Sequence, residues 1–108
     1  MELWTGLACL VGDPKCDGFR RFGDDGKGAY VNVVAWADSA EAFVEQVRNV
    51  AAGLDCILLE LDDPLTLDFR MEEPDFPEEL ITMRVTAHKQ PSDTIFGQFH
   101  IWLQSDVN

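Results

Sequence analysis

The stretch from Tyr30 to Leu61 constrains this chain most. Tyr30, Asn32, Val34 and Trp36 alternate with Val31, Val33 and Ala35, the two-residue period of a β-strand with apolar side chains on both faces. Asp38 or Ser39 then caps a helix, and Glu41 suits its positive N-terminal end. Phe43, Val47, Val50 and Leu54 fall at spacings of four, three and four, the apolar stripe of an amphipathic helix. Gly53 stands where a helix C-cap is expected. Cys56–Leu61 is a short, nearly continuous apolar run that predicts a central strand, limited by Pro64. Strand, helix and strand make a β-α-β unit, right-handed if its strands are parallel and share a sheet.

The flanking segments add to this unit. Leu3–Val11 is largely apolar and predicts a mostly buried strand. Gly12, Pro14, Gly18, Gly23, Gly26 and Gly28 mark a loop, with Phe19 and Phe22 packing part of it. The glycine-bearing stretch Gly23–Gly28 is not a phosphate loop. Lys27 is followed by Gly28 and then a strand, not by Ser or Thr and a helix, and Asp24 and Asp25 repel an anion. It predicts a hairpin loop. Leu65–Phe69 reads as a strand continuation or a separate extended piece.

Residues 77–90 carry two competing signals. Ile81, Met83, Val85 and Ala87 alternate with polar residues as in a strand. Pro77 followed by Glu78 and Glu79, with Lys89 and Pro91 beyond, is a helix signature. Helix is the preferred reading. Thr94–Leu103 alternates again and predicts a strand well inside a sheet. The order is β-β-α-β-α-β, or β-β-α-β-β-β if residues 77–90 pair. Either way the expected fold class is α+β: a single-domain two-layer sandwich, with one or two helices on one face of a largely antiparallel sheet. This is related to the ferredoxin-like arrangement.

Composition narrows the function classes. The 108 residues hold 20 acidic and 8 basic side chains, a formal charge of −12, which disfavours nucleic acid as a partner. No apolar run reaches the ~18–20 residues of a membrane span, and no basic-then-apolar start suggests a signal peptide. Cys9, Cys16 and Cys56 cannot all pair within one chain and contain no CxxC, so reduced thiols in a cytoplasmic protein are expected. No window has the ligand spacing of a calcium loop. Asp62, Asp63 and Asp68 read as a solvated face rather than a cation site. His88 and His100 are the two imidazoles, and nothing around the cysteines resembles a nucleophile motif. The expectation is a non-enzyme without cofactor or metal.

The acidic charge is concentrated. Residues 55–79 hold ten acids against Arg70 alone. Asp62, Asp63, Asp68, Glu72, Glu73, Asp75, Glu78 and Glu79 are expected to steer a basic protein, with Phe69 and Phe76 as apolar anchors. Solubility alone is the competing explanation of the same charge.

The segments GAYVNVVAWADSAEAF (Gly28–Phe43), CILLELDDP (Cys56–Pro64) and FGQFHIW (Phe96–Trp102) resemble those of small acidic bacterial toxin-immunity proteins. The resemblance implies a cytoplasmic, antitoxin-like protein that blocks a toxin or nuclease domain by occlusion, with no catalytic residue of its own. A reading from another class is a small-ligand-binding or metabolic α+β protein, as a monomer or a homodimer, with Trp36, Trp102, His100 and Tyr30 lining an apolar cleft. A third is a structural subunit whose exposed sheet binds a homologous chain.

Overall fold

Two long strands, β1 (Glu2–Gly12) and β2 (Gly26–Ala37), pair antiparallel along almost their full lengths, with Glu2 opposite Ala37 and Val11 opposite Gly28. The computed structural model describes residues 1–12, 26–62 and 64–103. Cys16, Phe19, Phe22, Asp63 and residues 23–25 of the expected hairpin loop lie outside the described residues. The last three residues of that expected loop, from Gly26, already belong to β2.

Helix α1 (Ala40–Gly53) follows as expected. The Ser39 hydroxyl accepts from the Ala42 amide at 3.1 Å, satisfying one of the amides that a helix start leaves unpaired. Gln46 Nε2 donates to Trp36 O at 2.9 Å and ties the helix to the end of β2. Strand β3 (Cys56–Leu61) pairs antiparallel with β1, so it runs parallel to β2 with β1 between them. Asp55, just before it, turns the chain with a φ of 60°, a conformation that Asp tolerates better than most residues.

Beyond β3 come a two-residue strand β4 (Leu65–Thr66), a short helix α2 (Leu67–Met71), helix α3 (Glu79–Lys89), and strands β5 (Ile95–Phe96) and β6 (His100–Leu103). All strand pairs are antiparallel. The sheet order is β3-β1-β2-β5, with β4 also on β1 and β6 also on β2. The chain therefore adopts the expected α+β class with a largely antiparallel sheet.

Strand parity distributes the helices between the two sides of this sheet. Odd residues of β2 (Val31, Val33, Ala35) join even residues of β1 (Ala8, Leu10) under Phe43, Val47 and Ala51 of α1. Even residues follow the opposite path: Val34 and Trp36 pack with Leu3 of β1, Leu67 of α2 and Leu80, Met83 and Ala87 of α3. So α1 lies on one face and α2 with α3 on the other, where the sequence predicted its helices on one face; apolar residues at both parities of β2 give each side a surface to cover.

Three local expectations are corrected. The first is β3, which sits at the sheet edge and not in the centre; Ile57 and Leu59 remain 42% and 60% exposed. α1 covers only the face of Cys56 and Leu58, so the apolar run does not mark burial on both sides. The second is Leu65–Phe69, which is not one extended piece: Thr66 Oγ1 accepts from the Phe69 amide at 3.4 Å and starts α2. The third is Thr94–Leu103, which splits at Gly97 into β5 and β6; among the described residues both pair with β2 and with no other strand. The split occurs where the Gln98 amide turns to a side chain, Glu79 Oε2, at 2.9 Å.

The competition at residues 77–90 resolves to helix. Leu80, Met83 and Ala87 are buried, whereas Ile81 and Val85 are each half exposed. The strand-like alternation was carried partly by residues that face outward.

Candidate functional site

Helix α3 begins at Glu79, beside Asn32, so it covers only part of the second face of the sheet. Beyond that point β2 continues with Tyr30 on the same face as Asn32, and no helix of the described residues lies over it. The register sets one row across four strands: Glu60 of β3, Cys9 of β1, Tyr30 of β2 and His100 of β6. The neighbouring row holds Leu7 and Asn32. It is closed at one side by the Asp62 amide on Leu7 O (3.0 Å) and at the other by the Gly97 amide on Asn32 O (2.8 Å).

A cleft of about 640 Å³ opens over these rows, with Tyr30, Asn32, Asp62, Arg70, Glu79 and His100 among its lining residues. Glu79 is hydrogen-bonded through both of its carboxylate oxygens. Its Oε1 accepts from Asn32 Nδ2 at 2.8 Å and its Oε2 from the Gln98 amide. Arg70 gives its charge to Glu73, at 3.3 Å. The Tyr30 phenol is held above its ordinary pKa. Negative charge on Cys9 contributes most, then the hydrogen bond between phenol and thiol, then partial burial, with Glu60 and Asp62 adding repulsion. Cys9 and Cys56 are buried thiols, as expected for cysteines in apolar strands.

A second cleft, of about 540 Å³, lies on the other side of α2 and holds Glu2, Trp36, Asp68, Phe69, Glu72 and Arg84. Trp36 Nε1 donates to Ala87 O at 3.0 Å, and its ring meets His88 edge-on at 5.2 Å. Trp36 is thus separated from Tyr30 and His100, and the four residues expected in one apolar cleft do not share it. The Trp102 side chain lies outside the described residues.

The acids of the expected docking face divide into three kinds. Asp62, Glu72, Asp75 and Glu78 are exposed, with no ion pair to them among the described residues. Asp68 pairs with Arg84, and Glu73 with Arg70. Glu79 is half-buried and structural. Of the two expected anchors, Phe69 is 57% exposed beside Asp68 and Glu72, whereas Phe76 packs against the core under α3. Asp63 lies outside the described residues.

Sequence reasoning passed over Asn32, Arg70, Thr5 and Gln98 in the first cleft and Glu2, Arg84 and His88 in the second. The signal for Asn32 was present, as a polar side chain in the middle of the most apolar strand. The others come together only through the sheet register and the placement of α2.

Among the described residues no group of three or more His, Cys, Asp or Glu side chains is placed to hold a metal ion, and no helix is long and apolar enough to cross a membrane. No family model, curated protein or solved structure matches this chain.

Proposed function

We propose that this chain is a non-enzymatic docking protein that occludes a basic protein partner, in the manner of an immunity protein covering a toxin or nuclease domain. One observation carries the reading: Phe69 stands 57% exposed between Asp68 and Glu72 on an open cleft. An exposed aromatic ring ringed by carboxylates supplies an apolar anchor and long-range steering together. Residues 67–79 hold six acids against Arg70 alone, so the field over α2 and the following turn is negative.

The test is association kinetics with a basic toxin or nuclease domain recovered by affinity purification on this chain, at about 50 and 300 mM salt, which brackets weak and strong screening. The expected result is an on-rate that falls with salt and falls again when Glu72, Asp75 and Glu78 become Gln, Asn and Gln. An unchanged on-rate in that triple variant removes the proposal.

A further inference from the structure

The larger cleft, on the Tyr30 side of α2, has a chemistry of its own that does not depend on the docking reading. Its lining carries the carboxylates of Asp62 and Glu79, with Glu60 in the same cross-strand row as Tyr30. The Arg70 guanidinium in its wall is occupied by Glu73. The Tyr30 phenol pKa is raised chiefly by Cys9, through its charge and its hydrogen bond, and burial adds to this; Glu60 and Asp62 add a smaller repulsion of the same sign. The Tyr30 ring is 45% exposed, a surface that attracts a cation over its face. Toward the other end, Thr5 lines the cleft and is only 4% exposed, and its hydroxyl has no hydrogen-bond partner among the described residues. A buried hydroxyl without a partner is costly, and a ligand donor would satisfy it.

We infer that this cleft binds a small organic cation, an alkylammonium or alkylguanidinium group, between the Tyr30 ring and the Asp62 and Glu79 carboxylates. The Glu79 carboxylate is already fixed by Asn32 and the Gln98 amide, so ordering it costs the ligand little. Asp62 stands on the opposite side, at the end of β3. An inorganic anion is disfavoured by the same charges. The cation is either free or the side chain of another polypeptide, and the two sources share this recognition.

The probes are agmatine, n-butylammonium and an N-acetylated, amidated Gly-Arg-Gly peptide, titrated into the intact protein against potassium chloride of equal ionic strength. The readout is the NMR shift of the Asn32 side-chain amide and the Gln98 backbone amide, which both face the Glu79 carboxylate. Saturable shifts beyond the salt control are expected. Asp62→Asn and Tyr30→Leu should each weaken binding about three- to fivefold, the scale of one exposed ion pair or cation–π contact. Glu41→Gln, on α1 across the sheet, should leave it unchanged, and Tyr30→Phe should retain most of it. Agmatine binding as tightly as the peptide identifies a free cation. A peptide about tenfold tighter, the effect of added backbone contacts worth one factor of ten, identifies a polypeptide side chain. No saturation below about 10 mM, where a Debye length of about 30 Å still leaves exposed charges weakly screened, overturns the inference. Equal weakening by Glu41→Gln and Asp62→Asn does so as well.

Discussion

Glu79 Oε1 accepts a hydrogen bond from Asn32 Nδ2 at 2.8 Å, joining the first turn of α3 to the middle of β2. The other carboxylate oxygen takes the Gln98 amide at 2.9 Å. One side chain thus holds together a helix start, a central strand and the break between the two edge strands. Glycine at position 97 makes room for it, since a Cβ there would sit 2.6 Å from Glu79 Oε1.

Glu79→Ala is therefore expected to lower stability by about 1–3 kcal/mol, because an amide donor in Asn32 and one in the backbone lose a charged acceptor. Gly97→Ala should produce a smaller loss with the same character, by displacing the carboxylate from both donors. Urea unfolding of the two single variants and the double variant checks this. If both act through the carboxylate, the double variant loses less than the sum.

The two phenylalanines Phe43 and Phe69 separate folding from binding. Phe43 is fully buried between α1 and the sheet, so Phe43→Ala should cost about 3–5 kcal/mol. That is a large share of the ~5–15 kcal/mol of a typical domain. Phe69 is mostly exposed, and Phe69→Ala should change stability by no more than about 0.5 kcal/mol. Its effect should fall on partner affinity, by about 2 kcal/mol if it is an anchor. Denaturation midpoints and dissociation constants measured on the same samples distinguish the two.

Arg84 competes with any basic partner for Asp68, with which it forms a salt bridge. Arg84→Ala should change stability by less than about 1 kcal/mol, as the pair is solvent-exposed. It should also speed association with the basic partner at low salt, since a repelling cation is removed and Asp68 is released. A slower on-rate in stopped-flow mixing would show that Arg84 belongs to the docking surface.

Tyr30 is the single tyrosine of the chain, so tyrosinate absorbance reports it alone. Its folded pKa is raised above 10.0, and the unfolded chain therefore loses that proton first as pH rises. The native state binds more protons in this window. The associated stability is fully present below pH 10.0 and is lost as pH climbs through the folded value. The spectroscopic midpoint should lie above 10.0 in buffer and return to it in urea. Cys9→Ser, which removes the thiol charge but keeps a hydrogen-bonding group, should lower the native midpoint. Cys9→Ala should lower it further, and Glu60→Gln less than either.

Much of this architecture was readable from local pattern. The alternation of Tyr30–Ala37 placed Tyr30, Asn32, Val34 and Trp36 on one face, and the structure keeps them there. The spacing of Phe43 and Val47 and the Ser39 cap identified α1 because helix period and capping are properties of a few consecutive residues. Pro77 with Glu78 and Glu79 outweighed the false alternation of Ile81 and Val85 for the same reason. Edge and centre were not readable in this way. Cys56–Leu61 and Thr94–Leu103 look like interior strands because apolar composition does not say which neighbour is missing.

The candidate site follows the same division. The charge of residues 55–79 is a property of composition, and so is its capacity to repel anions and attract cations. Whether each carboxylate is available is a property of distance. Arg84 reaches Asp68 across sixteen positions, and Asn32 reaches Glu79 across forty-seven. The chain order alone determined two sheet-facing strand patterns, one amphipathic helix and a dense anionic segment, since these rest on neighbours in sequence. The tertiary structure decided that Phe76 packs half-buried against the core while Phe69 is exposed, and that Tyr30 and Trp36 open onto different clefts. Strand register and the seating of α2 and α3 bring together residues that no local pattern connects.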